Sequence, residues 1–176
     1  MSYIACLCEG AAEQAVIELL LDAEKLIFTR DEMLEGEPLR CRSASKFEAK
    51  YLRKGFSEKI TIYRILDSRR ERFTLSTVYT KKIDVINVIT APEIEMLIIF
   101  TEGKYNEYKK SGKKPSDYCK SNLKHPNVKS ETFIKEYFSD VETLVSAIIE
   151  YKLLLLTSTV IKQLSQNDTK LLANVS

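Results

Sequence analysis

The chain has 176 residues, of which 44% are hydrophobic and 30% charged, with five glycines and four prolines. This composition excludes a fibrous or mainly disordered protein and is typical of one globular domain with a substantial core. The 27 basic and 25 acidic side chains leave a formal net charge of +2, so any surface that binds nucleic acid must be a local patch.

The sequence shows neither a secretory signal nor an apolar run long enough to cross a membrane. The N-terminus lacks the basic region and small-residue cleavage site of a secretory signal. The apolar run Leu153–Leu156 is far shorter than the roughly 20 residues that a membrane helix needs. The four cysteines are Cys6, Cys8, Cys41 and Cys119. Their spacing is not that of a zinc site and favours reduced thiols in the core, so we expect a cytoplasmic protein without a membrane segment.

The first element predicted is an apolar strand from Tyr3 to Cys8, which ends at Glu9 and Gly10. A helix is predicted from Ala11 to Lys25, because apolar residues recur there at helical spacing. The next predicted elements are a brief strand at Leu26–Thr29, a loop at Asp31–Arg42 and a helix from Ser43 or Ser45 to about Arg53.

Two further strands are predicted in the middle of the chain, at Ile60–Leu66, which Asp67 closes, and at Ile83–Ile89. Between them, Thr74–Tyr79 is rich in β-forming residues and is predicted to be a small edge strand. Thr90-Ala-Pro-Glu93 has the N-cap threonine, first-turn proline and N3 glutamate of a helix start. It therefore predicts a helix from Ala91 to about Lys110.

The last third of the chain is predicted to be helical and begins with a lysine-rich segment. Between Glu102 and Lys129 there are eight lysines and three acidic residues. These lysines could follow a phosphate backbone, or they could form an ordinary solvated surface. The predicted helices are Ser116–Leu123, Ser130–Tyr137 and a long one that Ser139 caps and that runs through Leu156.

Strands that alternate with helices predict an α/β fold with a mostly parallel, four-stranded sheet and right-handed crossovers. Residues 1–110 are expected to form the α/β core. Residues 111–176 are expected to form a helical extension that packs on this core in a single compact domain.

Acidic residues follow three of the predicted strands, at Glu9, at Asp67 and at the pair Glu93 and Glu95. The carboxyl ends of parallel strands meet at one edge of a sheet, where α/β proteins bind ligands. Clustered carboxylates repel one another unless a cation joins them, and Mg²⁺ binds one or two carboxylates together with water and phosphate. The pattern therefore predicts a magnesium site suited to displacement at phosphorus, with Glu9, Glu13, Asp67 and Glu95 as candidate ligands.

Some of these acids also have a structural interpretation. Glu13 would be a favourable charge in the first turn of a helix, and Asp67 could be a turn or cap residue. Glu93 is explained by the capping box, whereas Glu95 precedes a wholly apolar segment and is the better candidate for a site. Glu9 lies between an apolar strand and a glycine turn, where it has no evident packing role.

Basic side chains that could bind phosphate lie close to these acids in the sequence and in the lysine-rich segment. Those that we expect to contact phosphate or nucleic acid are Arg69, Arg70, Arg72, Lys109 and Lys113. The three arginines follow Asp67 directly, and a solvated loop explains them equally well.

Three stretches together resemble a known family. An apolar strand followed by Glu9-Gly10, with Glu13 in the next helix, resembles the first motif of TOPRIM domains. The strand that ends on Asp67 resembles their second motif, which is normally Asp-x-Asp. The stretch Ala91-Pro-Glu-Ile-Glu-Met-Leu-Ile-Ile99 resembles the Asn-Pro-x-Phe-Glu-x-Trp-Leu-Leu segment of the RloB-like, abortive-infection (OLD-related) branch. The resemblance covers about residues 3–100.

The resemblance implies a Mg²⁺-dependent phosphodiester site of nuclease or strand-transfer type, in a bacterial or phage defence setting. It implies that Glu9 is the acid/base or a metal carboxylate and that Asp67 and Glu95 are metal ligands. An ATPase is implied as a partner protein, since relatives often act with one.

The chain departs from the family pattern at one important position. Arg69 stands where the second acid of Asp-x-Asp belongs, which weakens the metal site unless Glu71 or Glu13 substitutes. The main alternative is therefore a catalytically inactive TOPRIM-like module that binds a protein or nucleic-acid partner. An enzyme requires Glu9, Asp67 and Glu95 to converge and bind a cation. A binding module predicts convergence without metal, with Arg69 paired to an acid, and an unrelated α/β protein predicts no convergence.

Overall fold

The computed structural model describes residues 2–52, 59–66, 72–89 and 93–153 of the chain. These residues form the predicted α/β fold, in which helices flank a four-stranded sheet whose strands are all parallel. The strands are β1 (Ser2–Cys8), β2 (Leu39–Arg40), β3 (Lys59–Leu66) and β4 (Ile83–Ile89). They lie in the order β2-β1-β3-β4, so β1 and β3 occupy the centre.

The helices lie between and after the strands. They are α1 (Ala11–Asp22), α2 (Ala44–Phe47), α3 (Thr77–Thr80), α4 (Glu95–Thr101), α5 (Tyr105–Ser111), α6 (Pro115–Ser121), α7 (Glu131–Tyr137) and α8, described over residues 141–153. Two 3₁₀ turns, Arg30–Glu32 and Leu34–Gly36, precede β2, and a π-helix, Glu48–Leu52, continues α2. Over the described part of the chain, no helix has both the length and the apolar character needed to cross a bilayer.

The register of the sheet determines which residues meet at its carboxyl edge. Cys8, the last residue of β1, is paired with Ile65 of β3 on one side and with Arg40 of β2 on the other. Glu9 and Gly10 therefore leave the sheet beside the end of β2, and α1 begins there.

Both faces of the sheet are covered by helices. On one face, Leu7, Ile60 and Ile62 pack against Phe47 of α2 and Tyr51 of the π-helix. The opposite face, which includes Cys6 and Cys8, packs against Ile17 and Leu21 of α1. Burying one such side chain contributes roughly 1.5–3 kcal/mol, so these contacts fix the sheet between two helical layers.

A third layer covers the outer side of α1. Ala15 of α1 belongs to one apolar cluster with Ile98 of α4, Cys119 of α6, Ile134 of α7 and Leu144 of α8, all of them fully buried. The helices predicted at Ser116–Leu123 and Ser130–Tyr137 are confirmed as α6 and α7. Glu95, at the first turn of α4, is thereby held against α1.

The strand predicted at Leu26–Thr29 is wrong, because the second strand is Leu39–Arg40, inside the stretch predicted to be a loop. Phe28 is buried, but its ring stacks on Tyr63 at 5.5 Å between centroids, so it packs on the sheet without joining it. Ile27 is 87% exposed, whereas a strand covered on both faces would bury it.

The edge strand predicted at Thr74–Tyr79 is also wrong. The backbone of residues 72–76 is irregular, and Thr77–Thr80 is the short helix α3. Leu75 turns into the core, and the Ser76 amide donates a hydrogen bond to Glu48 Oε1 at 2.5 Å. These tertiary contacts override the local β propensity.

The single helix predicted from Ala91 to Lys110 is divided into α4 and α5. Residues 90–92, including the predicted N-cap threonine, lie outside the described residues, and Glu93 precedes the first helical residue. Gly103 ends the first helix with φ = 64°, a conformation that glycine adopts readily. The break lets the Tyr105 ring stack on Phe100 at 5.0 Å between centroids.

Several helix ends differ from those predicted. Helix α1 ends at Asp22, three residues before Lys25, and Glu24 follows with φ = 55°. Asp140, and not Ser139, caps α8, because its carboxylate accepts hydrogen bonds from the Glu142 amide and the Thr143 hydroxyl. Ser43 caps α2 as predicted.

Candidate functional site

A cavity of about 310 Å³ lies at the carboxyl end of β1, where α1 and α4 both begin. We call it the acidic cavity. The charged side chains that line it are Glu9, Glu13, Glu93, Glu95, Arg40, Arg42 and Lys129. Four carboxylates thus face one small volume together with three cations, at the sheet edge where the sequence predicts a site.

Glu9 and Glu13 reach this cavity from the junction of β1 and α1. Gly10 is the N-cap of α1 and supplies no side-chain oxygen to the free amides of the first turn. The carboxylate of Glu13 folds back over it, where a Cβ on residue 10 would clash with Glu13 Oε2. A carboxylate is favourable here because the helix N-terminus carries partial positive charge.

Glu93 and Glu95 approach from the start of α4 and share one lysine. The Lys129 ammonium lies 3.2 Å from Glu95 Oε1 and 3.8 Å from Glu93 Oε2. The Glu95 side chain is only 3% exposed, whereas that of Lys129 is 66% exposed. A nearly buried carboxylate thus receives its counter-charge from a cation that reaches in from solvent.

Neighbouring core residues hold both ends of this ion pair. The buried thiol of Cys119, on α6, donates a hydrogen bond to the Glu95 carbonyl oxygen at 3.7 Å. Burial, followed by the nearby Glu95 carboxylate, raises the pKa of Cys119 to about 12, so the group is a neutral donor at physiological pH. Val128, which is 1% exposed, anchors the turn before Lys129 in the same cluster.

The same contacts keep the Lys129 side chain protonated. Burial alone would lower its pKa, but the carboxylates of Glu95 and Glu93 act more strongly in the other direction. The pKa of Lys129 therefore lies above its ordinary value, and the ammonium form is retained.

Arg40 and Arg42 line the opposite side of the acidic cavity. Pairing of β2 with β1 places Arg40 next to Cys8, one residue before Glu9. Arg42 Nη2 donates a hydrogen bond to the Glu9 carbonyl oxygen at 3.3 Å. Both side chains are exposed, so their guanidinium groups remain available to an anion that enters from solvent.

The four acids of the acidic cavity offer carboxylate oxygens, which are the ligand atoms that a hard cation such as Mg²⁺ prefers. Among the described residues, no three His, Cys, Asp or Glu side chains lie close enough to enclose a metal ion by themselves. A divalent cation would thus depend on one or two carboxylates together with water and phosphate oxygens, which is the usual arrangement for Mg²⁺.

The structure brings Glu9, Glu13 and Glu95 together, and with them Glu93, which the sequence explained as a capping residue. The predicted metal ligand Asp67 lies outside the described residues, as do Arg69, Arg70 and Glu71. The catalytic and metal roles of these residues stay predictions.

The basic residues predicted to bind phosphate do not line the acidic cavity where the structure describes them. Arg72, Lys109 and Lys113 are exposed, and Lys113 Nζ donates to Ser121 Oγ and Asn122 Oδ1. The cations in the cavity are instead Arg40, Arg42 and Lys129, none of which the sequence singled out. Arg40 and Arg42 lay in a stretch predicted to be a loop, and nothing local separates Lys129 from seven other lysines of its segment.

Neither a scan against protein-family models nor searches of curated proteins and of solved structures found a match to this chain. An α/β fold alone does not indicate an activity, because the same architecture supports many reactions. We therefore infer function from the residues of the acidic cavity and from their surroundings.

Proposed function

We propose that the chain is a TOPRIM-like protein whose acidic cavity is a Mg²⁺-dependent phosphodiester site of nuclease type, acting in bacterial or phage defence. The observation that carries the proposal is the position of Lys129. Its ammonium lies between two carboxylates in a cavity that two further carboxylates line. The site therefore already stabilises a cation at the carboxyl edge of a parallel sheet.

Each charged residue has a role in such a site. Glu93 and Glu95 would hold the cation, with Asp67, which follows β3 in the sequence, as a further ligand that the resemblance implies. Bound Mg²⁺ would lower the pKa of a water nucleophile and neutralise charge on the phosphate. Glu9 would accept the proton of that water, at the half-buried end of β1.

The two arginines complete the proposed site. Arg40 and Arg42 would pair with phosphate oxygens through their planar guanidinium groups, which match phosphate in geometry. Both side chains lie beside the acids but carry no carboxylate partner among the described ion pairs. They would thus place a phosphodiester against Glu9, whose carboxylate alone would repel it.

A second candidate function is a metal-free binding module that acts through a nucleic-acid or protein partner, such as an ATPase. One observation favours it, which is that the described acids do not enclose a metal ion without further ligands. In this case the cavity would retain its charges as a recognition surface without catalysis.

Calorimetric titration with Mg²⁺ and with Mn²⁺ separates these two functions. It should be performed on the wild type, on Glu9→Gln, on Asp67→Asn and on Glu95→Gln, with Glu37→Gln as a control acid outside the acidic cavity. The enzyme proposal predicts that the wild type and the control bind metal and that the three site variants bind it at least about tenfold more weakly.

The same proteins should then be tested for cleavage of single-stranded and duplex DNA and RNA. Metal-dependent cleavage that is lost in the site variants would support the enzyme. If the wild type bound no Mg²⁺ or Mn²⁺ at millimolar concentration in the calorimetric titration, the enzyme proposal would be contradicted and the metal-free module would remain.

A further inference from the structure

A second and larger cavity adjoins the acidic cavity. Its volume is about 630 Å³, and it lies between β2, the start of α2 and the π-helix. We call it the basic cavity, because its charged lining residues are Arg40, Arg42, Lys46, Lys50 and Glu37. Four cations and one carboxylate give the lining a local charge of +3, whereas the whole chain carries only +2.

None of the four cations has a carboxylate partner among the described residues. Over the described ranges, no ion pair includes Arg40, Arg42, Lys46 or Lys50, although Lys129 and Lys135 each contact two carboxylates. Lys50 lies 4.7 Å from the centroid of the Tyr51 ring, which orients its ammonium without neutralising it. Like charges held together without counter-charges cost stability, which is consistent with a surface that an anionic ligand neutralises.

The two cavities share Arg40 and Arg42. A ligand that lies along the basic cavity therefore meets the acidic cavity at its end, with the two arginines between them. One phosphate would need only the arginines. The additional lysines are matched by a chain of phosphates, since neighbouring phosphates repeat the same negative charge.

We propose that the basic cavity binds the sugar-phosphate backbone of a nucleic-acid strand and directs that strand into the acidic cavity. The backbone is the element recognised, because the lining supplies cations to phosphate oxygens and contains no exposed aromatic ring on which bases could stack. The second part of this inference, that the strand reaches the acidic cavity, rests on the proposed function. The first part, strand binding, does not require a metal.

Binding to fluorescein-labelled oligothymidylate of about 20 nucleotides, measured in EDTA by fluorescence anisotropy, tests the proposal with the full chain. Neutralising four phosphates of a single strand predicts a slope of about −2.8 for log affinity against log salt, or about a 50-fold loss between 50 and 200 mM salt. Oligodeoxycytidylate of the same length should bind similarly, because a backbone contact does not select the base.

The deciding variant is Lys46→Glu/Lys50→Glu, with Lys81→Glu/Lys82→Glu as a matched control. Both double variants change the net charge by the same amount, and the control pair consists of exposed lysines that do not line either cavity. We expect the first variant to lose at least tenfold in affinity and about 1.4 in salt slope, while the control loses less than about threefold. A loss no larger than that of the control, or no binding by the wild type, would overturn the proposal.

Cys41 provides a test that requires no substitution. Its half-buried thiol lines the basic cavity, whereas Cys6, Cys8 and Cys119 are buried. A saturating oligonucleotide should slow the reaction of Cys41 with a thiol reagent severalfold, and an unchanged rate would contradict strand binding in this cavity. The oligonucleotide-binding and thiol-reaction experiments are both made in EDTA and so do not depend on a metal ion. Absence of metal binding in the calorimetric titration would therefore refute the proposed function and leave this inference intact.

Discussion

The acidic and basic cavities share two arginines but differ in what balances their charges. In the acidic cavity, the nearly buried carboxylate of Glu95 is paired with Lys129. In the basic cavity, no described carboxylate pairs with the four cations, and these are exposed. The buried carboxylate of the first region thus has a counter-charge within the protein, whereas the cations of the second region have none among the described residues.

This difference explains why the overall composition is uninformative. The net charge of +2 sums 27 basic and 25 acidic side chains over the whole chain. It therefore does not reveal a lining of four acids and three cations beside a lining of four cations and one acid, with Arg40 and Arg42 in both. Because interactions between exposed charges are largely screened beyond about 10 Å, the potential that a ligand meets depends on the nearby lining residues and not on the net charge of the chain. The ligands that we propose for the two cavities are a divalent cation in the acidic cavity and a nucleic-acid strand in the basic cavity.

Substitution of Glu9 is expected to have the largest effect on the acidic cavity. Glu9→Gln preserves size and hydrogen bonding but removes the proton acceptor, so metal-dependent cleavage should fall by about 100-fold or more. Oligonucleotide binding in EDTA should be unchanged or slightly stronger. Single-turnover cleavage and anisotropy on the same protein measure the two effects.

Glu37→Gln is the control, since Glu37 lines the basic cavity and not the acidic one. If both variants lost activity equally, the effect would reflect net charge, and the distinction between the two cavities would be wrong.

Removal of Lys129 should leave the Glu95 carboxylate without its counter-charge unless a metal ion binds in the acidic cavity. Because the Lys129 side chain is 66% exposed, solvent screens its pair with the buried Glu95 carboxylate, and we take the contribution of the pair as about 1 kcal/mol, or about fivefold in affinity. Lys129→Met should therefore strengthen Mg²⁺ or Mn²⁺ binding by about that factor, as measured by calorimetry. In EDTA it should lower stability, because Glu95 then lacks its counter-charge.

The control is Lys135→Met, which removes a lysine that contacts Glu18 and Glu131 away from both cavities. It should leave metal binding unchanged. Equal or weaker metal binding by Lys129→Met would show that the lysine does not compete with a cation.

A methyl group at residue 10 should produce the smallest effect. The backbone at Gly10 has φ = −124°, which alanine adopts without strain, but the new Cβ would displace the Glu13 carboxylate. Gly10→Ala should leave the stability within about 0.5 kcal/mol and weaken metal binding about twofold. Chemical denaturation and calorimetry measure these two quantities.

Gly103→Ala should show the opposite pattern. A Cβ added at Gly103 would meet no atom within 4 Å, but the backbone there has φ = 64°, which is strained for alanine. Stability should therefore fall by about 1 kcal/mol, while metal binding is retained. Retention of full affinity by Gly10→Ala would exclude Glu13 from the cation site.

The sequence allowed strands β1, β3 and β4 and the acidic side of the site to be predicted from apolar patterns. Long apolar runs identify buried strands, and Glu9 is placed as soon as β1 is recognised, because it follows the last strand residue. Glu95 could be distinguished because an acid directly before the five apolar residues Met96–Phe100 lacks a packing role.

The basic side of the site could not be predicted in the same way. Strand β2 has two residues, Leu39 and Arg40, and only its pairing with the end of β1 identifies it as a strand. The partnership of Lys129 with Glu95 depends on how α4, α6 and α7 pack together, which no local pattern encodes. The error at Leu26–Thr29 has the same origin, since Phe28 is buried through stacking on Tyr63.

Anomalous scattering from crystals grown with Mn²⁺ is the most direct test of the acidic cavity as a cation site. We predict a peak among the carboxylates that line the acidic cavity, with the Lys129 ammonium displaced from Glu95. The absence of a peak, with Lys129 still in contact with Glu95 at millimolar Mn²⁺, would contradict a metal-dependent site and leave the cavity as a metal-free recognition surface.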